Sequence, residues 1–144
     1  MAPGQYTELF FLDEATALAA GHRPCAECSR DRYNAFVSAC ANGETVLRAA
    51  EIDARLYAER VTTRGEKTNY PVRLRELPGG TFVRLADNVN SYLVHDHRLF
   101  LWSPAGYQQT VARPPNVEVN VLTPQTTALA LVRGYRPAIH ESAR

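Results

Sequence analysis

SYLVHDHRLFLW, residues 91–102, is the stretch that decides how this chain folds. Ser91 to Val94 and Leu99 to Trp102 read as two strands. They are joined across the polar residues His95-Asp96-His97-Arg98, so the pair reads as antiparallel. Working outward, Thr81 to Leu85 reads as a strand, with Pro78-Gly79-Gly80 before it and Asp87-Asn88 after it as turns. Further upstream, Val72 and Leu74 alternate with Arg73 and Arg75, and β character begins at Tyr70. Downstream, Gln108 to Asn116 is mostly polar, contains Pro114-Pro115 and is expected to be a loop. Val117 to Val121 alternates strictly and reads as the last strand.

The flanks read as helices. Asp13 can cap a helix from Glu14 to Ala20, with Gly21 just past its end and Pro24 blocking continuation. A short strand, Tyr6 to Leu12, precedes it. A second helix opens near Glu27 or Ser29 and carries Tyr33, Phe36, Val37 and Cys40 on one apolar face, up to Asn42-Gly43. Glu44 to Arg60 is expected as a third helix with Leu47, Ala50, Ala54 and Tyr57 as its apolar stripe, and polar Thr62 to Glu66 as a loop. Thr123-Pro124, a capping hydroxyl before a first-turn Pro, predicts a closing helix that ends at Gly134. The expected fold is one α+β domain over residues 1–144, with N-terminal helices, a small antiparallel sheet and a C-terminal helix. The chain also echoes itself. Ala-Leu-Ala-Ala-Gly-His-Arg-Pro at 17–24 aligns without gaps with Ala-Leu-Val-Arg-Gly-Tyr-Arg-Pro at 130–137. Cys25 then corresponds to Ala138 and Cys28 to Glu141.

Composition narrows the function classes. The 144 residues are 45% hydrophobic and 22% charged, with 16 basic and 15 acidic residues and a net charge of +1. Such a balance excludes a strongly cationic nucleic-acid coat, an acidic tail and a long disordered chain. No run approaches the ~18 apolar residues of a membrane span. Met1 to Gln5 lack the basic start and apolar stretch of a secretion signal. Three cysteines, an odd number, argue for a reducing compartment, which makes the cytoplasm the expected location. Lys67 is the only Lys, so nearly all positive charge is Arg. Base composition accounts for such a skew in an Ala-rich chain; bidentate recognition of phosphate or carboxylate is the functional alternative.

Cys25-Ala26-Glu27-Cys28 is the sharpest chemical feature. Two thiols three residues apart on a turn entering a helix can point at one tetrahedral ion. Arg23, Arg30 and the helix N-terminus favour thiolate. Half of a zinc site is the leading expectation; a dithiol redox pair and two ordinary cysteines remain open. The other ligands are not spelled out. Cys40 lies roughly 18 Å along the helix from Cys28 and reads as a small buried hydrophobe. His22 is close in sequence but aimed away by the Arg-Pro exit. His95 and His97 would share a face if extended, and His140, in the second echo unit, could fold back beside the first.

Phe11 to Cys28, FLDEATALAAGHRPCAEC, resembles the second half of the metal-binding domain of Ada-type DNA repair proteins. The resemblance rests on an Ala/Leu-rich helix, a Gly-aromatic-Arg-Pro exit and the Cys-x-x-Cys. It implies zinc on Cys25 and Cys28 and contact with DNA. It covers 18 residues and departs from the family upstream, where the family carries two further cysteines, one of them the methyl acceptor. Here no Cys precedes Cys25, so phosphotriester methyl transfer is not implied. The whole chain is also similar to a group of bacterial proteins that share the YTELFFLDEATALAAGHRPC opening at 6–25 and carry extra sequence ahead of it. A longer natural start would also account for half a metal site.

Four functions compete. A small zinc-associated domain with a nucleic-acid-binding or DNA-repair accessory role would use Arg23, Arg30 and Arg32 around the cysteines. It would also use Arg64, Lys67, Arg73 and Arg75 near Tyr70, in weak, salt-dependent phosphate contacts diluted by Glu59, Glu66 and Glu76. A deaminase-like enzyme would use Pro24-Cys25-Ala26-Glu27-Cys28, but the upstream H-x-E it needs is missing. A metal-dependent hydrolase or nuclease would be built on His95-Asp96-His97, which also reads as a polar hairpin turn. A non-catalytic module for a protein partner or a second copy would use Leu99 to Trp102 if that strand were an edge.

Overall fold

Asp96 and His97 form a two-residue turn, with φ of +51° and +63°. Two left-handed residues in succession give the primed turn whose twist matches that of its strands. Asp and His tolerate this region better than bulkier or β-branched residues do. The turn pairs Val94 with Leu99 and His95 with Arg98.

The computed structural model describes residues 12–25, 27, 30–41, 48–60, 70–85, 90–112 and 117–143. Among them, α1 (Glu14–Ala19), α2 (Arg30–Ala41) and α3 (Ala49–Arg60) precede the strands. These are β1 (Tyr70–Arg73), β2 (Phe82–Arg84), β3 (Tyr92–His95), β4 (Arg98–Ser103), β5 (Gly106–Ala112) and β6 (Glu118–Val121). A 3-10 turn, Leu74–Glu76, follows β1, and α4 (Gln125–Val132) follows β6. The fold is α+β. The described strands form one sheet in the order β1-β6-β2-β3-β4-β5, and every neighbouring pair is antiparallel. The expected strand at 6–12 lies outside the described residues except for Leu12, as do the 42–43 and 87–88 turns and the 62–66 loop.

Four local expectations need correction. Residues 108–112, expected in a loop, belong to β5. A hairpin closes it: Ser103 lies opposite Gly106, and the Ser103 hydroxyl donates to the Gly106 carbonyl at 2.6 Å. β5 is an edge strand, so Gln108 and Thr110 keep their polar side chains exposed, which hides the alternation that usually marks a strand. The second helix, described from Arg30, agrees with the expected opening near Glu27 or Ser29. The third helix begins at Ala49 rather than Glu44; Arg48 occupies the cap position, and its N–H donates to Glu51 Oε1 at 3.0 Å. The same helix buries Ile52 and Leu56, while Ala50, Ala54 and Tyr57 are exposed. Both sets have helical spacing, but Ile and Leu remove far more apolar area from water than two Ala do. Thr123, finally, does not cap α4. Its hydroxyl is fully buried and accepts the Phe82 N–H at 2.9 Å, tying the helix entry to β2. Glu59 of α3 takes over the free end of α4, accepting the Thr126 N–H at 2.8 Å and the Thr126 hydroxyl at 2.6 Å.

Directly opposed residues share a face of the sheet, so the register sorts the core. One face carries Phe82, Leu93, Phe100, Tyr107 and Leu122, which pack beneath Ala15, Ala19 and Ala143, with Leu12, Trp102 and Ile139 at the margin. The other face carries Val83, Tyr92, Val94, Leu99, Val119 and Val121 with Leu74 and Leu77. The helices meet in a third cluster, where Leu18, Phe36, Val37, Ile52, Leu56, Ala130, Leu131 and Tyr135 come together. Tyr33, Phe36, Val37 and Cys40 face it as the sequence predicts.

Candidate functional site

The lead into Cys25 is built by local chemistry. Asp13 caps α1: its Oδ1 accepts the Thr16 N–H at 2.8 Å and the Thr16 hydroxyl at 2.7 Å. At the other end, the Gly21 N–H donates to Leu18 O and the His22 N–H to Ala17 O, each at 3.0 Å. These are the two bonds of a Schellman motif, and Gly21 supplies the left-handed residue at φ +95°. The C-terminal unit repeats the motif atom for atom. The Gly134 N–H reaches Leu131 O at 3.1 Å and the Tyr135 N–H reaches Ala130 O at 3.0 Å, with Gly134 at φ +107°. At these helix ends the sequence echo is therefore a structural repeat.

Beyond Gly21 the chain is tied down by Arg23. Its guanidinium holds Asp53 of α3 through Nε to Oδ1 at 2.8 Å and Nη2 to Oδ2 at 3.2 Å. Nη1 donates to Pro24 O at 3.0 Å, and the group lies 5.5 Å above the Tyr33 ring of α2. Pro24 is buried and Cys25 is exposed. The thiol thus follows a fixed exit, between a capped helix and a residue anchored to two other helices. Cys28 lies outside the described residues. Cys40 is half-buried, and burial pushes its thiol up to about 11, which keeps it protonated and inert at neutral pH.

The histidines are dispersed. His95 sits on β3 with its ring 5.9 Å from that of Phe100. His97 occupies the turn, and its left-handed backbone breaks the extended geometry that would have put the two imidazoles on one face. His140 does fold back on the first unit: its N–H donates to Asp13 Oδ2 at 2.8 Å. Its Nδ1 is engaged by Ser142, with the hydroxyl at 2.8 Å and the N–H at 3.1 Å. Among the described residues, no three of His, Cys, Asp and Glu converge as a metal would require. Of the expected ligand set, Cys25, His95, His97 and His140 are described, and no three of them converge. A four-ligand zinc site would need Cys28 and donors from outside the described residues.

The expected phosphate-binding arginines divide into two groups. Arg23 and Arg32 hold carboxylates of their own chain. Arg32 pairs with Glu14 through Nη2 and reaches Glu14 Oε2 through Nε at 3.4 Å. It also donates to Arg136 O at 2.7 Å and lies 5.1 Å over the Tyr135 ring. The Glu14 contact raises its already high pKa. Arg30, Arg73 and Arg75 are exposed. Arg64 and Lys67 lie outside the described residues.

Asp13 and Glu14 form a clasp that sequence reasoning missed beyond the cap. Besides Thr16, Asp13 accepts the Tyr107 hydroxyl at 2.8 Å and the His140 N–H. Glu14 accepts the Tyr135 hydroxyl at 2.6 Å and the Ala138 N–H at 2.7 Å, while the Ala15 N–H donates to Ala138 O at 3.3 Å. Burial is the main cause that raises both tyrosine pKa values, and the adjacent carboxylates add to it. Each carboxylate already faces four donors from the chain itself. The arrangement therefore ties the C-terminal segment to α1 and leaves no oxygen poised as a general base. The signal available in sequence was the adjacent Asp13-Glu14 pair at a helix start. Comparison with family models, with curated proteins and with solved structures yields no match.

Proposed function

We propose that the chain is a small zinc-associated domain with a nucleic-acid-binding role, in which Cys25 and Cys28 contribute to the metal site and exposed arginines contact phosphate. The fixed exit from α1 carries this reading: the Schellman end and the Arg23–Asp53 pair deliver Cys25 to the surface just ahead of α2. A thiol held this way loses little conformational freedom on binding an ion, which favours affinity. Bound zinc would supply structural cross-linking of the turn into α2. Arg30, Arg73 and Arg75 are exposed, so the phosphate contacts would be few, weak and lost at modest salt, with a shallow salt slope.

Zinc analysis of the purified protein tests the first half. One zinc per chain in the wild type, lost in Cys25→Ser, is the expected result; no zinc in the wild type overturns it. Retention on a DNA column under rising salt tests the second half. Early, salt-dependent elution is expected, and passage without delay at low salt overturns it. One observation favours a second reading, a non-catalytic protein-interaction module. Leu129 and Val132, three residues apart on α4, are 50% and 63% exposed.

A further inference from the structure

The first face of the sheet is covered only in part. Its apolar half, from Phe82 through Leu93 and Phe100 to Tyr107, lies under α1 and the C-terminal segment. Continuing across the same face to β6 and β1, the residues turn polar. Arg84 stands directly opposite Asn120, Asn120 opposite Pro71, and Glu118 opposite Arg73. Pro71, Arg73 and Glu118 are exposed, and Arg84 and Asn120 are half-buried. This corner is open to solvent at its outer edge. Arg84 Nε is buried and has no hydrogen-bond partner among the described residues.

A buried guanidinium N–H without an acceptor is costly and calls for an explanation. An anionic oxygen beside it removes the penalty, and phosphate suits the fork of Arg better than any other common anion except carboxylate. Two strand spacings and two residues of offset put the Arg73 and Arg84 Cα atoms about 12 Å apart. Two long Arg side chains on one face at that separation can reach neighbouring phosphates on one strand, with Asn120 on the strand between them. We propose that this corner, formed by Arg73, Arg84 and Asn120, binds the phosphate backbone of a nucleic acid. Glu118 at its rim opposes the same phosphates and limits affinity. The inference rests on the nucleic-acid reading above and assigns it to one surface.

The test is fluorescence anisotropy with one labelled oligonucleotide, as a single strand and as a duplex, across a salt series. Circular dichroism checks that each variant is folded. Arg73→Ala and Arg84→Gln are each expected to weaken binding about three- to tenfold and to lower the salt slope by about one. Glu118→Gln is expected to tighten binding about two- to fivefold, a gain that misfolding cannot mimic. Wild-type binding that none of the three substitutions changes overturns the corner and leaves the nucleic-acid reading standing. No wild-type binding overturns both. Inorganic phosphate that competes as well as an equal concentration of oligonucleotide phosphate overturns the polynucleotide as occupant.

Discussion

Glu14→Gln probes the clasp with the smallest change of shape. In the wild type the carboxylate takes the Tyr135 hydroxyl, the Ala138 N–H and the Arg32 guanidinium. An amide keeps one acceptor oxygen and replaces the other with a donor. Facing Tyr135, that donor is tolerated, because the phenol can turn and accept. The remaining oxygen then serves Ala138, and the ion pair is lost. In the other orientation, two N–H groups oppose each other at Ala138. The Arg32 and Glu14 side chains are 43% and 18% exposed. Solvent screening therefore holds the pair's contribution to about 0.5 kcal/mol. Weakening the charge-assisted bonds to the hydroxyl and the amide adds about 1.5 kcal/mol. The total is a loss of about 2 kcal/mol, or about 6 °C in melting temperature for a chain of this size. Urea unfolding followed by the fluorescence of Trp102, which packs against the same core cluster as Ile139, measures it. Tyr135→Phe, alone and combined with Glu14→Gln, closes a double-mutant cycle whose coupling is expected to exceed about 0.5 kcal/mol. A Glu14→Gln protein as stable as wild type, or a coupling of zero, would refute the clasp.

Two glycines with similar backbone angles are expected to respond differently to Ala. Gly134, at φ +107°, has open space around an added Cβ, so the cost is backbone strain alone, about 1 kcal/mol. Gly80, at φ +97°, would also drive its Cβ to 2.9 Å from Cγ of the Pro137 ring, and a loss of about 3 kcal/mol is expected. Chemical denaturation of the two variants checks the order, and equal losses would show that the Pro137 contact is immaterial. Alkaline pH probes Cys40. Its thiol is raised in the folded chain from the ordinary 9.0 to about 11, so its contribution to stability is complete below pH 9 and is lost as pH rises towards 11. The elevated tyrosines Tyr107 and Tyr135 act in the same direction. Cys40→Ala is expected to flatten part of the alkaline decline, and an unchanged pH profile would contradict a buried, protonated thiol.

The antiparallel sheet, the capped first helix, both glycine-terminated helix ends and the apolar face of α2 were legible in the amino-acid order. Each depends on contacts between residues a few positions apart, where side-chain chemistry fixes the backbone directly. Asp13 reaches its own third neighbour, and the bonds closed at Gly21 and Gly134 join residues three or five positions apart. In the candidate site, the helix end at Gly21 and the block at Pro24 that lead to Cys25 were legible; the exposure of Cys25 was not. Nor was the fate of Arg23 and Arg32, because neither Asp53 nor Glu14 stands near its partner in the chain. Tertiary structure alone decided those pairings, and with them the clasp. Tyr107 lies 94 residues from Asp13, Tyr135 lies 121 residues from Glu14, and His140 lies 127 residues from Asp13. It also chose between two helically spaced stripes on α3, made a strand of polar β5, and left one corner of the sheet open. A periodic pattern states that a face exists. Which face is buried, and which charge meets which partner, is settled by the desolvation and pairing energies of surfaces that come together only when the whole chain closes.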